Sequence, residues 1–325
     1  MTVSGRFVVA VSFVLLLLQV AQGITSPPSR PDFPYVTDSF TRREVGSCVD
    51  TTRVWIYEPE FPDDPPASPP NVVVYLHGFS LTTPRFYQGH IEHLVRQGNV
   101  VIFPQFQEAI CGLFDGFVES LVRFIVTPSS PVAWSETTVA AVDDALATLS
   151  GGYNNIYLFG HSLGGAFGMM WGDLDSGADV TAAVLASPQP AGFGANPDFV
   201  MALFSFRFGE DIDVVAAAPQ TTFPITVLHF NDDTTAPLSD IQPSFAALGS
   251  ADKEIYQAQT DRHGFPDLTA EHMTPLTLLS QNSYDWRYVW SALDQVILQN
   301  AAPADLVFDM GQWSDGRPVE NVIQV

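Results

Sequence analysis

The sequence predicts an α/β fold with a doubly wound, mainly parallel sheet flanked by helices, and two observations support this prediction. From Asn71 onward, short apolar runs alternate with longer segments of helical periodicity, which is typical of successive βαβ units. The short runs are almost continuously apolar, as expected for strands that are covered on both faces. The predicted strands are residues 72–76, 100–103, 156–159, 180–185, 225–230 and 254–259.

Helical patterns fill several of the segments between these strands. One helix is predicted to follow Pro84 and to end near Gly98. A second is predicted to begin at Ser135, because serine is a favoured N-cap residue, and to stop at Gly151. A third is predicted over residues 284–298, where an apolar stripe at helical spacing would pack on the sheet.

The first residues of the chain have the pattern of an export signal. Arg6 is followed by an apolar run and then by small residues, which predicts a signal peptide over residues 1–23 with cleavage before Ile24. The apolar run is shorter than the roughly 20 residues that span a bilayer. We therefore expect a secreted, extracellular protein without a transmembrane anchor after cleavage.

The rest of the chain is expected to form one domain with short additions at each end. Its composition is 46% hydrophobic over 325 residues, which is sufficient for a large buried core. Residues 24–70 are expected to hold an extended segment and the first strands, and residues 71–300 the core of the fold. Residues 301–325 are expected to form a tail packed on that core.

The charge of the chain limits its partners. Thirty-six acidic residues stand against 13 basic ones, giving a net charge of −23, and Lys253 is the only lysine. So negative a surface repels phosphate backbones, and the sequence has no basic patch to reverse this locally. Nucleic acid is therefore not an expected partner.

Two cysteines, Cys48 and Cys111, remain after the predicted cleavage. In an oxidising compartment two thiols in one domain tend to pair, so a disulfide between them is expected. The alternative is two unpaired buried thiols, because cysteine also packs well as a small hydrophobic residue.

The strongest functional signal is the run Gly160-His161-Ser162-Leu163-Gly164, which follows a predicted strand directly and precedes a helical segment. This is the context of a nucleophile elbow, in which a serine lies on a sharp turn and glycines on either side allow close backbone approach. Together with His77-Gly78-Phe79 after the strand 72–76, the run resembles the α/β-hydrolase superfamily of lipases and esterases.

This resemblance implies the α/β-hydrolase fold and a set of roles for matching residues. Ser162 matches the nucleophile, and the backbone N–H groups of Leu163 and Phe79 match the donors of the oxyanion hole. We expect neither a cofactor nor a metal. His90 and His93 flank Glu92, but their spacing differs from the His-Glu-x-x-His of zinc proteases.

The acid of the triad should follow the predicted strand 225–230. Matching the spacing of the superfamily, with a proline four positions later at Pro237, selects Asp233, and Asp232 is the alternative. The order of nucleophile, acid and then histidine along the chain is that of the α/β-hydrolases.

Two histidines are candidates for the base. His263 is preferred, because it lies within a few residues of the end of the strand 254–259. His272 is the alternative, since Glu271-His272-Met273-Thr274-Pro275 resembles the histidine-plus-proline segment of some cutinase-like polyester hydrolases.

These residues predict a serine hydrolase that cleaves carboxylic esters through an acyl-enzyme on Ser162, with small esters, lipids and polyesters all open as substrates. An acyltransferase on the same fold is one alternative, and a binding protein that has lost the chemistry is another. Two long connections, 105–134 and 187–224, are rich in phenylalanine and are expected to contribute to an apolar acyl pocket.

Overall fold

The described part of the molecule covers most of the chain. The computed structural model describes residues 25–48, 50–61, 66–107, 130–189, 211–278 and 280–325. The predicted signal peptide, Cys111 and most of the two long connections lie outside these ranges, so the signal peptide, the disulfide and the acyl pocket stay predictions. Within them, no helix combines the length and the apolar character that a membrane span requires.

A twisted sheet runs through the centre of the described residues. Its strands are β1 (Ser39–Val45), β2 (Val54–Glu60), β3 (Val72–Leu76), β4 (Val100–Pro104), β5 (Ile156–His161), β6 (Val180–Ala186), β7 (Ile225–Phe230), β8 (Lys253–Ala258) and β9 (Ile323–Gln324). Their order across the sheet is β1-β2-β4-β3-β5-β6-β7-β8-β9. Strands β3 to β8 run parallel to one another, whereas β1, β2 and β9 extend the two edges in antiparallel pairing.

Helices cover both faces of this sheet. In the described residues the helices are α1 (Gln88–Arg96), α2 (Pro131–Ala147), α3 (Leu163–Met169), α4 (Val214–Ala217), α5 (Leu238–Ala247) and α6 (Trp290–Gln299), with a π-helical turn, Asp285–Val289, leading into α6. One face carries α2, α3 and α5, which bury residues such as Val142, Phe167 and Ile241 against the strands. The other face carries α1, α6 and the C-terminal tail. The doubly wound α/β architecture predicted from the sequence is therefore confirmed.

The six predicted strands all form, two with the predicted ends and four with ends that differ by one or two residues. The start of α2 was predicted wrongly. The helix begins at Pro131, after Ser130 in an extended conformation, because the fixed φ of proline suits the first helical turn. Ser135 lies inside the helix instead, where its hydroxyl donates to the Val132 carbonyl over 2.8 Å.

The C-terminal tail contributes one large side chain to the buried core. Trp313 is only 1% exposed, and its indole Nε1–H donates to Asp261 Oδ2 over 2.8 Å. The ring lies against Gly264, where an added Cβ would come within 2.5 Å of it. A buried aromatic ring with a satisfied N–H contributes more than its area alone, so the tail is part of the packed structure.

We expect Trp313→Ala to lower the free energy of unfolding by about 3–5 kcal/mol, because it removes a fully buried indole and leaves a cavity. Urea denaturation measures the change. Val307→Ala in the same tail is the matched control, since Val307 is 73% exposed and its replacement should shift stability by no more than about 0.5 kcal/mol. Equal losses from both variants would contradict this account of the tail.

Candidate active site

Ser162 lies on the sharp turn between β5 and α3. Its φ of 53° and ψ of −115° are outside the regions that non-glycine residues ordinarily occupy. The turn is held because the Ser162 N–H donates to the Ala186 carbonyl over 3.0 Å, next to the end of β6. This strained conformation places the hydroxyl at the carboxyl edge of the sheet, as a nucleophile elbow requires.

Glycines on either side of the elbow allow backbone to lie directly against backbone. A Cβ on Gly160 would come within 2.5 Å of the Gly164 carbonyl oxygen, and a Cβ on Gly164 within 2.3 Å of the Leu76 carbonyl oxygen. The Gly164 N–H also donates to the His77 carbonyl over 3.0 Å. No side chain fits at either position, so the glycines fix how closely α3 approaches β3.

His272 connects Ser162 to Asp233. Its Nε2 is 2.9 Å from Ser162 Oγ, and its Nδ1 is 2.8 Å from Asp233 Oδ2. A carboxylate can only accept, so Nδ1 carries the proton and Nε2 is the acceptor for the serine hydroxyl. The structure therefore brings together a serine, a histidine and an aspartate in a hydrogen-bonded series that can withdraw a proton from the serine.

Asp233 is buried at the end of β7, yet its environment favours the charged form. Burial by itself raises the pKa of Asp233, but the hydrogen bond and charge of His272, together with the Ala236 N–H, outweigh it and hold this pKa below its ordinary value. Its Oδ1 accepts from the N–H groups of Thr235 and Ala236 over 2.9 and 2.8 Å. The carboxylate is thus fixed in one orientation toward His272.

The alternative acid, Asp232, has its side-chain partners in the segment after β8. Its Oδ2 accepts from the Thr260 hydroxyl over 2.8 Å and pairs with the Arg262 guanidinium over 3.0 Å. The choice of Asp233 from the position of Pro237 agrees with this placement, because Asp233 is the carboxylate that contacts a histidine at the elbow.

The structure pairs His263, the preferred candidate for the base, with the C-terminal tail instead of with Ser162. Its Nε2 is 2.7 Å from Asp315 Oδ2, and its Nδ1 accepts from Arg317 over 2.9 Å. His263 thereby anchors the C-terminal tail, and the alternative histidine, His272, is the one that reaches Ser162.

The path of the chain after β8 explains why His272, and not His263, lies at Ser162. The chain leaves the sheet and doubles back, closed by an antiparallel bridge between Asp261 and Leu268, and His263 lies in this excursion. The chain then returns beside residues 231–237, the turn after β7 that carries Asp233 and that we call the acid turn. There the Ala270 carbonyl accepts from the Asp232 N–H over 2.9 Å. The histidine that contacts Ser162 therefore follows the excursion, and counting residues from the strand end selects a different ring.

The turn after β3, residues 78–80, carries Phe79, the second predicted oxyanion donor, and we call it the oxyanion turn. The N–H groups on either side are held by side chains: Gly78 N–H donates to Tyr87 Oη over 2.9 Å, and Ser80 N–H to Gln107 Oε1 over 2.7 Å. The Ser80 side chain is also buried. Leu163, the other predicted donor, is the first residue of α3, so its N–H has no acceptor within the helix.

Sequence reasoning missed several side chains that support this site through contacts created by the fold. Tyr87 and Gln107 hold the oxyanion turn, and neither belongs to a local motif. His229 is 3.2 Å from the Ala236 carbonyl and steadies the acid turn. In the residues that the structure describes, no group of three His, Cys, Asp or Glu side chains is arranged to hold a metal ion.

Comparison with known proteins identifies the class to which this fold and site correspond. The model of the alpha/beta hydrolase family matches residues 73–320. The chain belongs to this family, which confirms the resemblance seen in the sequence. None of the curated proteins compared with the chain is similar to it in sequence.

Two solved structures share the fold at low sequence identity. Est1E from Butyrivibrio proteoclasticus is 15% identical with a TM-score of 0.52, over 79% of this chain and 98% of that one. Puromycin hydrolase is 18% identical with a TM-score of 0.51, over 71% of this chain. The match covers 36% of the puromycin hydrolase chain, so the present protein corresponds to about a third of it.

Gly164→Ala should destabilise the protein by at least about 1–3 kcal/mol, because the new methyl group would overlap the carbonyls of Leu76 and His77. Thermal unfolding measures the loss. Gly151→Ala is the matched control, since an added Cβ there meets nothing within 4 Å. The described packing would be refuted if the two variants melted at the same temperature.

Buried histidines should make the protein less stable in mild acid. Burial lowers the pKa of His77 and His161 to about 3 and that of His90 well below its ordinary value, so the folded rings stay neutral. The unfolded chain takes up these protons below a pH of about 6.5, and the free energy of unfolding therefore falls from pH 7 to pH 5.

Asp285 acts in the opposite direction, because burial raises its pKa to about 8 and the folded carboxyl keeps a proton that the unfolded chain loses. Its contribution to stability is fully present below the ordinary pKa of 3.8 and is lost progressively as the pH rises from there to about 8. Asp285→Asn should therefore steepen the decline between pH 7 and pH 5, as measured by urea denaturation at both values. A free energy of unfolding that stays constant or rises toward pH 5 in the wild type would contradict this assignment.

Proposed function

We propose that this protein is a serine hydrolase that cleaves carboxylic esters, with Ser162 as nucleophile, His272 as base and Asp233 as the acid that orients the base. The observation that carries the proposal is the unbroken series of contacts from Ser162 Oγ to His272 Nε2, 2.9 Å, and from His272 Nδ1 to Asp233 Oδ2, 2.8 Å. Both distances suit proton transfer between positioned groups. Membership of the alpha/beta hydrolase family supports the hydrolytic chemistry.

In the first half of the reaction, Ser162 Oγ forms a bond to the ester carbonyl carbon while its proton passes to His272 Nε2. The tetrahedral intermediate then collapses, the bond to the alcohol oxygen breaks, and the same proton leaves on the alcohol. In the second half, water gives a proton to His272, attacks the acyl carbon and releases the acid, while the proton returns to Ser162. Asp233 stays ionised throughout and stabilises the imidazolium that forms in each half.

The negative charge on the carbonyl oxygen would be met by the backbone N–H groups of Leu163 and Phe79. Preorganised donors of this kind are worth about 3–4 kcal/mol each in related chemistry, because they need no reorganisation when the charge develops. The rigid setting of this protein supports that role. Gly164 fastens α3 to the His77 carbonyl, and the N–H groups flanking Phe79 are already held by Tyr87 and Gln107.

The ester class rests on the motifs that resemble lipases and esterases, namely His77-Gly78-Phe79 and the elbow around Ser162. The export signal expected in residues 1–23 places the reaction outside the cell in this proposal. Small esters, lipids and polyesters are all compatible with the chemistry of the described residues.

The test is hydrolysis of p-nitrophenyl esters of increasing chain length. We expect Ser162→Ala and His272→Ala each to lower kcat by about 10⁴-fold or more, since members of a triad act as a unit. The matched control is His263→Ala. This variant also removes an imidazole that pairs with a carboxylate. Because His263 lies at the C-terminal tail, the variant should leave kcat within about twofold.

A covalent trap separates this mechanism from catalysis elsewhere on the molecule. An organophosphate ester should add one phosphoryl group to the peptide containing Ser162, as detected by mass spectrometry, because it reacts with an activated serine. Labelling should be absent in Ser162→Ala and strongly slowed in His272→Ala. A wild-type protein that neither hydrolyses the esters nor reacts with the trap would refute the proposed function.

A further inference from the structure

A buried series of hydrogen bonds runs beneath the site, from the backbone of His272 to the oxyanion turn. His161 Nε2 is 2.9 Å from the His272 carbonyl oxygen, and His161 Nδ1 is 2.8 Å from Tyr87 Oη. Tyr87 Oη in turn accepts from the Gly78 N–H over 2.9 Å. The side chains of Tyr87 and His161 are completely buried, so water does not compete for these contacts.

The donors and acceptors in this series can be assigned from its two ends. The His272 carbonyl only accepts, so His161 Nε2 carries a proton and donates it. The Gly78 N–H only donates, so Tyr87 Oη accepts from it and the phenolic proton is directed to His161 Nδ1. His161 is therefore a neutral ring with its proton on Nε2, and burial, which lowers its pKa to about 3, supports the neutral state.

Each end of the series belongs to a part that the proposed reaction needs in a fixed place. One end is the backbone of His272, the residue that carries the base. The other end is Gly78, which precedes the predicted oxyanion donor Phe79. The His161 ring also packs directly on that turn, since a Cβ on Gly78 would lie 3.0 Å from His161 Nδ1.

We propose that His161, the residue before the nucleophile, is a positioning residue that sets the base and the oxyanion turn at fixed distances from Ser162. It does so by hydrogen bonding to the His272 carbonyl and, through Tyr87, to the Gly78 N–H. The inference rests on the proposed function and adds a role that neither the elbow motif nor the triad contains. His161 does not touch the substrate or exchange protons with it. A displacement of about 1 Å in a reacting group can lower a rate by about 100-fold, so a positioning role has a measurable effect on kcat.

The molecule offers a matched control for simple loss of packing. Tyr75 Oη is 3.0 Å from His90 Nδ1, and both side chains are fully buried in the same core. This pair has the same chemistry as the pair of Tyr87 and His161, but neither member contacts Ser162, His272 or the oxyanion turn in the described hydrogen bonds. Tyr75→Phe therefore reports the cost of losing a buried contact between tyrosine and histidine alone.

The kinetic test compares four variants with p-nitrophenyl ester substrate. His161→Phe and Tyr87→Phe should each lower kcat by about 10–100-fold while KM changes by less than about twofold, because the effect is on the placement of reacting groups. His161→Gln should recover much of kcat, since its amide can donate to the His272 carbonyl as Nε2 does. Tyr75→Phe should lower the melting temperature to a similar extent and leave kcat unchanged.

A second readout does not depend on activity. Nitrogen-15 NMR of the histidine side chains should show His161 with its proton on Nε2 and a bare Nδ1 from pH 5 to pH 9, whereas an ordinary histidine titrates near 6.5. The double variant Tyr87→Phe with His161→Phe should lose no more kcat than the worse single variant, because both changes break one series.

The outcomes distinguish this inference from the proposed function. If Ser162→Ala hydrolyses the esters as fast as the wild type, the proposed function fails, while the NMR signature of His161 is unaffected. If Ser162→Ala is inactive but His161→Phe retains kcat within twofold, the positioning role is overturned and the triad stands. The inference is equally overturned if His161 carries its proton on Nδ1 or titrates near 6.5.

Discussion

The structure of the site depends on one close contact between backbones, that of Gly164 with the end of β3. Because Gly164 has no side chain, its N–H reaches the His77 carbonyl and its Cα lies against the carbonyl of Leu76. This contact fixes the start of α3 relative to the turn that carries Phe79. The strained conformation of Ser162 persists because the backbone on both sides of it is held in this way, as expected where surrounding structure determines an unfavourable φ.

A second constraint brings His272, the proposed base, to the elbow across a long stretch of sequence. The bridge between Asp261 and Leu268 closes an excursion, and the contact of Asp232 N–H with the Ala270 carbonyl returns the chain to the end of β7. Asp233 and His272 thus meet because the two segments that carry them are hydrogen-bonded to each other. The carboxyl edge of the parallel sheet supplies the common surface on which these loops converge.

The parts of this architecture that could be predicted from the sequence are those encoded locally. The buried strands have continuous apolar runs, and the elbow requires glycines at fixed positions, so strands β3 to β8 and Ser162 were found from the residues themselves. His272, the histidine that contacts Ser162, was only the alternative to His263, because the excursion after β8 is stabilised by contacts of Asp261 with the distant tail. Tyr87 was missed for the same reason, since its role depends on a contact with His161 that only the fold creates.

Three imidazoles lie around the elbow, and the fold makes only one of them suitable to accept a proton in the proposed reaction. His77 and His161 are fully buried, which lowers the pKa of each to about 3, and their polar partners are carbonyl and hydroxyl groups that do not balance a positive charge. His272 has the ionised carboxylate of Asp233 on Nδ1 and the Ser162 hydroxyl on Nε2. An imidazolium there is stabilised by an adjacent negative charge, whereas one at His77 or His161 would be buried without a counter-ion. The burial that keeps His161 neutral therefore suits it to donate a stable hydrogen bond to the His272 carbonyl. In the proposed reaction, the proton of the Ser162 hydroxyl passes to His272 instead.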